Sequence, residues 1–157
     1  EALARAMYRL GFRALEELAE ATIEELVTID GIAGPEEAEG LRNRAASTME
    51  RLRRERIAAA KTSFEPPTER DVLRLVRGVG VRTQQLLEEG GYRGIQDVVR
   101  EDPDRLAIRS GLSHKKARAV QAAARDFMDG EAKEIEAARA ALMQSGPSAA
   151  RVGDDAR

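Results

Sequence analysis

RLGFRALEELAEATIEELVTIDG at residues 9–31 and EGGYRGIQDVVREDPDRLAIRSG at residues 89–111 are two copies of one pattern. A shift of 80 lays Gly11 on Gly91, Phe12 on Tyr92 and Arg13 on Arg93. It also lays Leu15 on Ile95, Leu18 on Val98, Leu26 on Leu106 and Gly31 on Gly111. One extra residue in the first copy then changes the shift to 79, and Ala38 meets Ala117, Leu41 meets Val120 and Ala45 meets Ala124. Turn glycines and apolar spacing are shared, and these determine a fold. Surface charge is not shared: Glu20 aligns with Arg100 and Glu25 with Arg105.

Local signals agree with the alignment. Thr22-Ile23-Glu24-Glu25 is a capping box, in which Thr22 accepts a backbone N–H and Glu25 reaches back. The second copy starts the matching helix with Asp102 and then Pro103, an N-cap acid followed by a residue suited to the first helical position. Each of these short helices is expected to end at a glycine, Gly31 or Gly111, able to take the left-handed conformation. Ala38, Leu41, Ala45, Met49 and Leu52 keep helical spacing, as do Ala117, Val120, Ala124 and Phe127. No stretch alternates as a strand does. The first long helix is expected to reach about Lys61, and Pro66-Pro67 stops it. The fold class is therefore all-α, in two units. Residues 1–61 form the first, 62–68 a linker and 69–130 the second. Residues 131–144 read as an exposed amphipathic helix and 146–157 as a disordered tail.

Composition narrows the function. The 157 residues include no Cys and one His, which excludes disulfides, thiolate metal sites and multi-histidine chemistry and fits a reducing, cytoplasmic setting. No apolar run approaches the roughly 20 residues of a membrane helix. The chain begins at Glu1 without a start Met or signal-peptide pattern, and reads as a piece of a longer protein. The near-neutral total hides a gradient: residues 1–50 carry five Arg against eleven acids, net -6. Residues 51–70 are net +3, and residues 71–130, with eleven bases against nine acids, are net +2. The first third repels phosphate and the middle tolerates it. No carboxylate pair or serine has a setting for catalysis, and His114 reads as a surface residue. The chain is thus expected to be no enzyme, with no cofactor or metal.

Gly78-Val79-Gly80 lies between the apolar runs around Leu73 and Leu87, and Gly111-Leu112-Ser113 between Leu106 and Ala117. Two short helices joined through such a turn resemble the helix-hairpin-helix family, and two joined hairpins resemble its five-helix double-hairpin form. The first copy lacks its first hairpin helix and turn. GFRALEELAEATIEELVTIDGI with AEGLRNRA is similar to the acidic carboxy-terminal repeats of the NusA family of bacterial transcription elongation, termination and antitermination factors. RGVGVRTQQLLEEGGYRGIQDV resembles the second of those repeats, and the likeness covers residues 1 to about 129. It implies a non-catalytic interaction region. The implied partners are the carboxy-terminal domain of the RNA polymerase alpha subunit, the parent factor's own RNA-binding domains and other antitermination proteins. Glu16, Glu17, Glu20, Glu24 and Glu25 are the expected acidic docking face, where complementary charge speeds encounter; the competing reading is a solvated helix face.

A second function stays open. Exposed N–H groups of a glycine turn and the helix after it hold phosphate. Gly78, Gly80 and Arg82 provide such a turn. Lys115 and Lys116 stand at a helix start, where cations are disfavoured unless an anion is present. This alternative is backbone binding of DNA or RNA without base selectivity. The matching turn of copy one, Gly31 to Glu37, carries two acids and is not expected to take phosphate.

Overall fold

The computed structural model describes residues 15–152, with side chains through residue 145; Gly11, Phe12 and Arg13 lie outside the described residues. Nine α-helices and no strand are present among the described residues. They are α1 (Leu15–Glu20), α2 (Ile23–Val27), α3 (Pro35–Lys61), α4 (Glu69–Leu73), α5 (Val81–Glu89), α6 (Ile95–Arg100), α7 (Pro103–Ser110), α8 (His114–Asp129) and α9 (Glu131–Val152).

The duplication is physical. Helices α1, α2 and α3 begin 80, 80 and 79 residues before α6, α7 and α8. The caps differ as their residues require. Thr22 accepts from Glu25 N at 3.2 Å while Glu25 accepts from Thr22 N at 3.0 Å. Asp102 accepts from Asp104 N at 3.0 Å and Arg105 N at 3.1 Å, with Pro103 as the first helical residue. Gly31 and Gly111 both have positive φ, 102° and 80°. Gly111 is the C-cap of α7, but α2 ends earlier, at Thr28. The β-branched run Val27-Thr28-Ile29 favours that early stop. A tight turn follows, with Ile29 N on Leu26 O and Ile32 N on Ile29 O, both at 3.1 Å.

Two cores result. Among the described residues the first is small: buried Ala21, Leu26, Ile29 and Ala38, with Leu18 and Leu41 beside them. The second gathers Leu73, Leu87, Val98, Leu106, Val120 and Phe127 from α4 through α8, with Ile57 of α3 and Ile135 of α9 joining them. Helix α3, 27 residues and about 40 Å long, serves both. Its Ala38 and Leu41 belong to the first core, and its Ile57 and Ala60 to the second. The units are therefore joined inside a continuous helix, upstream of the expected linker at 62–68.

The C-terminal helix corrects an expectation. It is not an exposed appendage: Ile135 is buried in the second core, and Arg139 donates to Ser63 O at 3.2 Å and Phe64 O at 3.3 Å. The backbone also stays helical through Pro147 to Val152, past the expected end near 145.

Arg53, on α3, pins these parts together. It is 5% exposed, and its Nε and Nη2 donate to Glu50 at 2.9 and 2.8 Å. Its Nη1 donates to Leu75 O at 3.1 Å and to Glu131 of α9 at 2.9 Å. The Arg53 hydrogen bonds, with help from Arg77, hold the Glu50 carboxyl down at about 2 against an ordinary 4.5. A carboxylate with a depressed folded-state pKa adds stability above its unfolded pKa and loses it as pH falls toward the folded value. Thermal unfolding followed from pH 6 to pH 2 should therefore show a loss of stability setting in below about 4.5 and completing near 2. Glu50→Gln should be less stable at pH 6 and should flatten that slope; an unchanged slope would show that the pair contributes nothing.

Candidate functional site: an N–H cradle holding a carboxylate

The turn before α5 is built to present backbone donors. Gly78 takes φ 85°, Val79 is buried as the plug beneath the turn, and Gly80 is the N-cap of α5. A glycine cap has no side chain to accept the first N–H groups of the helix, which then need another acceptor. That acceptor is Glu16 of α1, 64 residues away, with only 2% of its surface exposed. Its Oε1 accepts from Gly80 N at 3.0 Å and its Oε2 from Arg82 N at 2.8 Å. Thr83 N lies 3.3 Å from both oxygens, and the buried Thr83 hydroxyl donates to Oε1 as well. A Cβ on Gly80 would overlap the Glu16 carboxylate, so glycine is what permits this approach.

Charge pairs flank the cradle on the same face of α1. Glu17 faces Arg82 Nη1 at 3.7 Å. Glu20 pairs with Lys116 of α8, whose Nζ also donates to Gly78 O at 2.8 Å. Lys116 thus links the second hairpin to the turn of the first. An open cleft of about 370 Å³ runs beside α1, lined by Glu17, Glu20, Arg82, Gly111, Ser113 and Lys116. The start of α8 is closed by its own serine, with Lys116 N donating to Ser113 Oγ at 3.0 Å. The two hairpin ends are therefore unlike: one caps itself and the other is capped from the first unit.

The sequence expectations come out unevenly. Gly78, Gly80, Arg82 and Lys116 are brought to one place, while Lys115 is exposed and forms no ion pair among the described residues. The single outward acidic face is corrected. Glu16, Glu17 and Glu20 are turned onto the second unit, Glu25 closes its capping box, and Glu24 is left in solvent. Thr83 was missed as a donor, although its place three residues past a glycine N-cap was the available signal. His114 is exposed beside Asp104, at 3.2 Å. Among the described residues no group of three or more His, Cys, Asp or Glu could hold a metal ion, and no helix is long and apolar enough to cross a membrane.

Residues 1–47 and 69–126 match the model of the SAM-like helix-hairpin-helix tandem. The chain belongs to the SAM-like tandem helix-hairpin-helix family. No curated protein and no solved structure matches it. The two matched stretches correspond to the two units of the tandem. Between them falls the C-terminal half of α3 and the proline segment. Arg53 and its carboxylate partners Glu50 and Glu131 stand outside the matched residues, while Leu75, whose carbonyl Arg53 also reaches, lies within them.

Proposed function

We propose that the chain is a non-catalytic binding module whose second unit takes the phosphodiester backbone of nucleic acid. The contact is the N–H cradle of Gly80, Arg82 and Thr83, with Lys115, Lys116 and Arg82 supplying positive charge around it. The carrying observation is the buried Glu16 carboxylate: two anionic oxygens sharing three N–H groups and a hydroxyl. Phosphate oxygens meet the same needs, and a helix N-terminus favours them electrostatically. No base-reading element is involved, so binding is indifferent to sequence.

A second reading rests on the exposed acids of the first unit, Glu24, Glu36 and Glu39, and on its net charge of -6 over residues 1–50. In it, the chain is the interaction region of a bacterial transcription elongation, termination or antitermination factor, and this unit docks onto a basic protein surface. That surface is the carboxy-terminal domain of the RNA polymerase alpha subunit or the parent's own RNA-binding domains. One set of titrations separates the readings. Isotope-labelled chain is mixed with a short mixed-sequence duplex, or with the alpha-subunit domain, at two salt concentrations. Backbone binding moves the amides of Arg82, Thr83, Lys115 and Lys116, weakens steeply with salt and is lost in Lys115→Glu plus Lys116→Glu. Shifts confined to Glu24, Glu36 and Glu39 with the alpha-subunit domain, and none with duplex, would put the second reading in its place.

A further inference from the structure

Helix α1 lays three acids on three points of the second unit. Glu16 fills the cradle, Glu17 faces Arg82 and Glu20 takes Lys116. These are the groups a phosphate backbone would use on the two hairpins. Their counterparts in the duplicated unit are Gln96, Asp97 and Arg100, so two of the three acids are peculiar to the first copy. A cap for α5 needs only one acceptor, and a serine at position 80 would supply it locally, as Ser113 does for α8. Here glycine stands at the cap and the acceptor comes from the other unit.

We infer that α1 is an internal competitor for the anion site: an acidic helix that occupies the backbone-binding face of the second unit and must be displaced before nucleic acid is bound. The inference rests on the phosphate reading above and adds the regulation of that site. The gate is the first unit itself. Helix α1 packs on α3, and among the described residues the first core has four buried members, Ala21, Leu26, Ile29 and Ala38. Elements with few buried contacts open at low cost compared with the whole fold. Clefts of about 560 and 370 Å³ lie on either side of α1, one against the 76–81 turn and one against the second hairpin. A ligand that binds only the open form has its affinity reduced by the fraction of chains that are open, so one open chain in ten means about tenfold weaker binding.

The experiment uses the full chain and three variants. Glu16→Ala removes the carboxylate and places a better helix former in α1. Glu20→Ala removes the Lys116 pair at an exposed position outside the first core. Glu16→Ala with Gly80→Ala puts a Cβ where the carboxylate sat. Without nucleic acid, Glu16→Ala should shift the amides of Gly80, Arg82 and Thr83. With duplex DNA, and with duplex RNA in a parallel arm, Glu16→Ala should bind about tenfold more tightly than the natural chain, and Glu20→Ala about threefold. The double variant should fall back to the natural level or below, because the Cβ bars phosphate as it bars carboxylate. Cradle amides unmoved by Glu16→Ala, or duplex affinity unchanged in both single variants, would overturn the competition while leaving phosphate binding by the natural chain intact. Shifted amides with no duplex bound by any form would overturn the phosphate reading and the competition together, and Glu16 would stand as a helix cap only.

Discussion

Arg53→Met should cost about 3 kcal/mol of unfolding free energy, within the range for removing one partner of a buried ion pair. The loss has three sources. Glu50 keeps Arg77 at 3.3 Å and Arg54 at 3.4 Å, but its bidentate partner is gone. Glu131, on α9, is about one-third exposed and can be hydrated again. Leu75 O has no such recourse, because Leu75 is 4% exposed and Arg53 Nη1 is the side-chain donor that reaches it. An unsatisfied buried carbonyl alone costs about 1–3 kcal/mol. Arg53→Lys should lose nearly as much, since an ammonium cannot reproduce the planar fork that serves Glu50, Leu75 and Glu131 together. Denaturant unfolding checks both, with midpoints falling and the slope unchanged. A midpoint as high as that of the natural chain would show that α3 and α9 are held by apolar packing alone.

What could be read in the chain was local. The capping box at Thr22/Glu25 closes within four residues and is present. The positive φ of Gly31 and Gly111 and the repeat shift from 80 to 79 follow from short-range chemistry of the same kind. The family rests on those signals, so it was legible too. The candidate site was legible only by halves. The turn Gly78-Val79-Gly80 announced N–H donors, and the gradient from net -6 to net +2 announced where acid and base were stored. Neither indicated that the acid of one unit would enter the turn of the other. Glu16 meets Gly80 across 64 residues, Glu20 meets Lys116 across 96, and Arg53 meets Glu131 across 78. No periodicity links such pairs; only the packing of α1 against α3 and α5 brings the first two together, and the packing of α9 against α3 the third. The docking-face expectation erred for that reason. A run of glutamates on a short helix looks solvated until a neighbouring helix N-terminus is found against it.

The two cores give the same substitution two different results. Leu106→Ala and Leu26→Ala are matched chemically, fall at equivalent positions of the repeat and start from side chains that are both 0% exposed. Leu106 lies in the core gathered from α3 through α9, and its truncation leaves a cavity in the core that holds most of the chain together. Leu106→Ala should lose about 3 kcal/mol, inside the range of 2–5 kcal/mol for buried leucines, and lower the main thermal transition by several degrees. Leu26 lies in the first core, which has four buried members among the described residues, and the most it can remove is the stability of the first unit. Leu26→Ala should therefore leave the main transition nearly in place while the first unit opens. Hydrogen exchange distinguishes the two variants. In Leu26→Ala the amides of Gly80, Arg82 and Thr83, now covered by Glu16, should exchange faster, while that of Val120 keeps its protection. In Leu106→Ala protection should fall across α5 to α8 together. Equal loss of protection at Thr83 and Val120 in Leu26→Ala would mean that α3 couples the units into one cooperative block, and that the first cannot open by itself.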